Sequence, residues 1–202
     1  HYTVTGSLEF LRFTGVELLI EIARFWSSIA TYNRRADRYE INGIMGPDEY
    51  HDGYPNSDEA GLRNNTYTNV MAVWVLQQAL GALQELPPHY RQELVEELAI
   101  GHDELERWRD ISQKMTVVFH ADGVLSQFEG YEQLHEFDWE GYRAKYGNIQ
   151  RLDRVLEAEG DSTNRYKVSK QPDVLMLLYL LSRDELCGLL ANMGYEVTEE
   201  QL

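Results

Sequence analysis

The chain has 202 residues, 43% of them hydrophobic, which is enough for a substantial core in one domain, although the length alone allows two. Its 34 acidic side chains against 18 basic ones leave a formal charge of −16, which argues against a nucleic acid or an anionic membrane surface as the main partner. A single cysteine, Cys187 in LCGLLANM, excludes an intramolecular disulfide framework and reads as a small buried hydrophobe.

The opening segment HYTVTGSLEF lacks the basic start and apolar run of a secretory signal. No stretch is apolar for long enough to cross a bilayer, and a cytoplasmic location is the expectation. Without an initiator methionine, the chain reads as a mature product or as an excised part of a larger protein. From Ser7, which can cap a helix, Leu8, Leu11, Leu18, Ile22, Phe25, Trp26 and Ile29 recur at spacings that place them on one helical side, with Gly15 weakening continuity. A second helix is expected over residues 68–86, carrying Val70, Val73, Trp74, Gln77 and Leu80, and stopped by Pro87 and Pro88. A third begins near Pro88, with RQELVEEL as a solvated face, and a fourth runs from Asp103 through Trp108 and Ile111 to Met115.

In TVVFHADGVLSQ, two short β-prone runs flank Ala-Asp-Gly, so a small hairpin or irregular connection is expected there. GYEQLHEFDWEGYRAKYGN reads as a polar, aromatic loop, followed by a modest helix over residues 149–159. PDVLMLLYLL is apolar on nearly every side and fits a buried helix, and a last helix over residues 184–192 closes at Gly194. The expected fold class is all-α, built from antiparallel helical pairs whose connecting loops carry the chemistry.

Those loops hold the candidate site residues. In IMGPDEYHDG, residues 44–53, Pro47 restrains the backbone before Asp48-Glu49, and Gly46 and Gly53 permit tight turns. Adjacent carboxylates in an irregular segment need not point together, so one can enter a cleft while the other secures the loop. A carboxylic acid near a glycosidic oxygen can protonate it as the bond breaks; a pair of turn carboxylates on the surface is the plainer reading. His51 either completes the polar network of the loop or carries a proton. The block NNTYTN can cap the following helix through Thr66 and Thr68, or offer Asn65 to sugar hydroxyls. Gln127 and Tyr131 in QFEGY combine an amide with a ring, and Lys170-Gln171 offer donors and an acceptor at a helix mouth; each also fits a structural role. The six histidines are scattered, with no HExxH, and no catalytic metal is expected.

Taken together, GIMGPDEYH, NNTYTN, QFEGY and KQPDVLMLLYLL, with TGSLEFL and EIARFW upstream, resemble the glycoside hydrolase family 65 disaccharide phosphorylases, the maltose, kojibiose and trehalose phosphorylase group. The resemblance implies part of an (α/α)6 barrel, residues 1–202 being a piece of a larger catalytic domain. It implies Glu49 as general acid and Lys170 and Gln171 as ligands of the nonreducing-end glucosyl group, with His51, Asn65, Gln127 and Tyr131 around them. The implied reaction is inverting phosphorolysis of an α-glucoside, with a disaccharide and inorganic phosphate as partners, no cofactor, and a homo-oligomeric parent left open. Two features depart from the family: KQPDV has proline where alanine is usual, and the linker between GPDEYH and NNTYTN is longer than common. The phosphate-binding loop expected beyond KQPDV is not identifiable in EVTEEQL, so weak or no turnover is expected of this chain alone. The alternatives are an inverting α-glucosidase or trehalase-like hydrolase, which needs a second carboxylate as base, and a noncatalytic carbohydrate-binding module.

Overall fold

The structure, a computed structural model, describes residues 2–198 and 201. The class is all-α, with antiparallel helical pairs of the kind that build an (α/α) barrel and two small β-ribbons between them. The chain divides into two compact units, His1–Glu40 with Asn69–Thr116 and Asp184–Val197, and Ile41–Thr68 with Val117–Arg183 and Thr198–Leu202.

In the first unit, short helices α1 (Tyr2–Thr5) and α2 (Leu8–Phe10) lead through one π-helical turn, Leu11–Gly15, into α3 (Val16–Ile29). Ser7 caps α2 as expected, its side chain accepting from the Phe10 amide. The buried stripe of α3 differs from the expected one: Val16, Ile20, Ala23 and Ser27 face inward, while Leu18 and Phe25 are each 56% exposed. Small side chains let a neighbouring helix approach closely, and that neighbour is α6 (His102–Lys114). The Arg24 guanidinium donates to both oxygens of Glu104, at 2.8 and 3.2 Å, and to the Leu98 carbonyl. Arg107 donates to the Ser27 and Ala30 carbonyls, satisfying groups that the end of α3 leaves without intrahelical donors. Residues 24 and 27–30 thus meet 104 and 107 in the same order, so α3 and α6 run the same way.

Strands β1 (Thr31–Asn33) and β2 (Arg38–Glu40) form an antiparallel ribbon, tied to α6 where Tyr39 donates its hydroxyl to Asp110 at 2.9 Å. Strand β3 (Asn42–Ile44) pairs with β4 (Leu62–Arg63) in the second unit. Helix α4 (Thr66–Glu85) buries Val70, Val73, Leu76, Ala79 and Leu83; α5 (Pro88–Glu97) follows, with proline at its first position as the sequence predicts. An apolar cavity of about 470 Å³ between α2–α3 residues and Trp74, Gln77 and Gly81 of α4 carries no candidate catalytic group.

In the second unit, the expected hairpin reduces to one antiparallel bridge, Phe119 with Leu125. The loop expected over residues 130–148 is partly helical: α7 (Trp139–Tyr146) starts at Asp138, whose carboxylate accepts from the Gly141 amide. It is followed by α8 (Leu152–Ala158), α9 (Asp173–Leu180) and, back in the first unit, α10 (Arg183–Asn192). Helix α9 is not buried all round in this chain: Leu177 is enclosed, but Tyr179 is 89% and Leu175 58% exposed. Cys187 is half-buried. Two apolar clusters support the loops of this unit. One is Phe137, Leu152, Leu156 and Val168, with Tyr50 packed against it; the other is Leu62, Phe128 and Leu134, with Tyr54 and Tyr131. Among the described residues, no helix is long and apolar enough to cross a membrane.

Candidate active site

The loop that follows β3 places one acidic side chain outward by fixing its neighbours inward. Asp48 is 7% and His51 2% exposed, and Tyr50 packs against the Phe137 cluster while its carbonyl accepts from the Thr163 hydroxyl. Glu49, between them, takes the left-handed backbone conformation at φ 62° and leaves its side chain 54% exposed. That conformation costs a non-glycine residue roughly 1–3 kcal/mol and persists only where the surroundings impose it.

Asp48 supplies much of that imposition. Its Oδ1 accepts from the backbone amides of Lys170 at 2.5 Å and Gln171 at 3.1 Å, and its Oδ2 lies 2.9 Å from Nδ1 of His51. Nε2 of His51 lies 3.0 Å from the Tyr166 carbonyl, which can only accept. With an acceptor at each ring nitrogen, the Asp48–His51 pair needs a proton on both contacts, and the imidazole packs at a tilt against the Phe128 ring at 5.1 Å and edge-on to the Tyr131 ring at 5.8 Å. Lys170 and Gln171, more than a hundred residues from Asp48 in sequence, are therefore held on the same carboxylate that anchors the Glu49 loop. The Lys170 ammonium donates to Glu49 Oε2 at 2.5 Å, and this hydrogen bond and the carboxylate's charge raise the lysine's pKa above its ordinary value.

Beneath the loop lies a second buried carboxyl. Asp173, the first residue of α9, is 1% exposed; its Oδ2 accepts from the Asn65 side-chain amide at 3.0 Å. Burial pushes this carboxyl up to about 6, against the Asn65 hydrogen bond and with the Asp48 charge adding to the rise. Gly46 passes so close that a Cβ there would stand 2.3 Å from Asp173 Oδ2 and 2.4 Å from Asn65 Nδ2. Asn65 also caps α4: its Oδ1 accepts from the Thr68 amide and hydroxyl, both at 2.9 Å. The cap is thus Asn65 rather than Thr66, whose hydroxyl is buried without a partner. Gln127 joins the helix starts, its backbone carbonyl accepting from Thr66 and its Oε1 from the Val174 amide at 3.2 Å. Burial, with the Asp48 charge second, pushes the Tyr131 phenol up to about 12.

Glu49, Lys170 and Gln171 come together at the loop mouth, while His51, Asn65, Gln127 and Tyr131 lie behind them as a polar and aromatic support. Sequence reasoning missed Asp173. Its signal is the acidic residue opening an otherwise apolar helix directly after Lys-Gln-Pro.

The chain matches the family model for the glycosyl hydrolase family 65 central catalytic domain over residues 1–201. It belongs to glycosyl hydrolase family 65. This family 65 chain is 55% identical over all of its 202 residues to an uncharacterized glycosyl hydrolase of Mycobacterium tuberculosis (strain ATCC 25618 / H37Rv), covering 15% of that protein. It is 38% identical over 189 residues to the trehalose 6-phosphate phosphorylase of Lactococcus lactis subsp. lactis (strain IL1403), spanning 93% of the chain and 23% of the relative. A solved structure titled a putative kojibiose phosphorylase from human microbiome superposes with a TM-score of 0.69 at 24% identity, over 93% of this chain and 23% of that one. The chain thus spans between a seventh and a quarter of the length of these proteins.

Proposed function

We propose that the protein containing this family 65 chain is an inverting glycoside phosphorylase that converts an α-glucosyl disaccharide and inorganic phosphate into β-glucose 1-phosphate and an acceptor sugar. The observation that carries the reading is the meeting of Glu49 with Lys170 beside Gln171 at one loop mouth, the Lys170 and Gln171 amides both held on Asp48 and the Lys170 ammonium on Glu49. Glu49 is the general acid: as a phosphate oxygen bonds the anomeric carbon from the face opposite the leaving group, the carboxyl proton passes to the glycosidic oxygen and the C–O bond breaks. The proton that restores Glu49 comes from the phosphate, so the net reaction balances without water or a second carboxyl base.

The ion pair with Lys170 implies an order of events. A bound glucosyl group that draws the Lys170 ammonium onto its hydroxyls frees the Glu49 side chain from its ion pair, so that the acid is released to the glycosidic oxygen when the site is filled. A hydrolytic reading needs a second free carboxylate as base. Within this chain, Asp48 is committed to two amides and His51, and Glu129 is paired with Arg63 and Asn64, so neither of these two carboxylates is free for that role. This chain on its own is expected to turn over weakly or not at all.

The test uses the complete protein and a panel of glucosyl disaccharides, with and without phosphate. Appearance of β-glucose 1-phosphate only with phosphate supports the proposal, and glucose release independent of phosphate refutes it in favour of a hydrolase. Glu49→Gln is expected to cut turnover by about 10²–10⁴-fold while leaving the fold intact; normal turnover in that variant removes Glu49 from the acid role.

A further inference from the structure

The hydrogen bonds under the Glu49 loop leave the Asp173 carboxyl only half satisfied. Asp173 Oδ1 is buried with no hydrogen-bond partner, whereas Oδ2 of the same carboxyl accepts from Asn65. Asp173 lines a small hollow with Gly46, Asp48, His51, Leu62, Gln127 and Phe128. No water-sized space exists inside it, so solvent cannot satisfy the bare oxygen. An ionised carboxylate with one oxygen facing such a hollow, and the Asp48 carboxylate on the same wall, carries a desolvation cost that the Asn65 hydrogen bond, the Asp48 backbone amide and His51 only partly offset.

We propose that Asp173 is a positioning residue, held in the folded protein as a neutral carboxylic acid at mildly acidic pH, and that its ionisation makes the seating of the Glu49 loop pH-sensitive. The seat is mechanical. Gly46, at the root of the loop, lies directly on Asp173 Oδ2 and the Asn65 amide, so any swelling around the carboxyl is transmitted to residues 46–49. The groups facing Asp173 are Asp48 and His51 from the loop, Asn65 and Tyr67 from the start of α4, and Gln127. Asp48 and His51 are already engaged with each other, while the Lys170 ammonium is turned to Glu49. Nothing in that set supplies Asp173 with a dedicated counter-ion.

The sign of the pH effect follows. The ordinary carboxyl value of 3.8 is raised to about 6, so the contribution of the neutral acid is fully present below the ordinary value and is lost as pH rises through about 6. Above that, the ion is forced into the hollow and the loop loosens. The proposal concerns the loop that bears Glu49, but it does not require any catalytic activity of the chain.

The test therefore uses no turnover. Infrared spectra of the chain and of Asp173→Asn are compared across about pH 4 to 7.5, together with hydrogen exchange of the Glu49, Lys170 and Gln171 amides, corrected for intrinsic rates. Asn keeps the shape and the acceptor for Asn65 but cannot ionise. The expected result is a carboxylic-acid carbonyl band in the wild type that persists above the range of ordinary carboxyls and is absent from the variant. Protection of the three amides should fall with rising pH, relative to the variant, by up to roughly a hundredfold. Loss of the band with the ordinary carboxyls near pH 4, or identical pH dependence of amide protection in the two proteins, overturns the proposal. If Asp173→Asn does not fold, the wild-type band and its titration decide the matter alone.

Discussion

Replacing Gly46 by alanine places a methyl group where the structure has no room. The added Cβ would stand 2.3 Å from Asp173 Oδ2 and 2.4 Å from Asn65 Nδ2, both well inside the roughly 3.4 Å of ordinary contact. Neither atom is the free end of a flexible side chain: Asn65 is 0% and Asp173 1% exposed, and the two are hydrogen-bonded to each other. Overpacking of this kind costs roughly 1–3 kcal/mol. Forcing the Asn65–Asp173 hydrogen bond apart in a buried setting adds about 1–3 kcal/mol. The expected destabilisation is therefore about 2–6 kcal/mol, a large share of the ~5–15 kcal/mol that holds a typical domain folded. The measurement is urea unfolding followed by tryptophan fluorescence, beside Gly43→Ala as a control. Gly43 has φ +74° but nothing within 4 Å, so alanine there carries only the backbone strain, about 1–2 kcal/mol. A Gly46→Ala midpoint no lower than that of Gly43→Ala would refute the account of how the loop is seated.

Asp48→Ala is expected to cost about 3–5 kcal/mol, because it strips the buried His51 ring and the Lys170 and Gln171 amides of their acceptor together; denaturant titration of the variant checks it, and a loss under ~1 kcal/mol contradicts the assigned network. Gly81→Ala, on the exposed side of α4 with nothing within 4 Å of the new Cβ, should raise stability by about 0.5–1 kcal/mol, seen as a higher thermal midpoint.

Much of the fold was legible because helix ends and helical periodicity are local. Ser7 as a cap, the Pro87-Pro88 stop, the helix opening at Pro88 and the closure at Gly194 each depend on a few adjacent residues, and each stands where the chain alone puts it. Helix α7 was hidden because its aromatic and charged residues lack an apolar stripe; the Asp138 cap was the available signal. The face of α3 was misread for a different reason. Large apolar side chains mark one side, but close helix contact prefers the small ones, and Ala23 and Ser27 go inward beside Arg107 while Phe25 stays out. Helix α9 reads as buried because it is almost wholly apolar, yet burial depends on which surfaces surround it, and in this chain only Leu177 and its first residue are enclosed.

By itself the sequence determined the helical class, the positions of most helix boundaries and the adjacency of the two acidic residues in the GPDE loop, with a division of labour between them left as one option. Those properties follow from backbone preferences and side-chain chemistry within a few residues of each other. Only the tertiary structure decided that Asp48 is the anchor, that Lys170 reaches Glu49, and that Asp173 lies buried beneath Gly46, because each of these depends on segments more than a hundred residues apart meeting at distances no local pattern encodes.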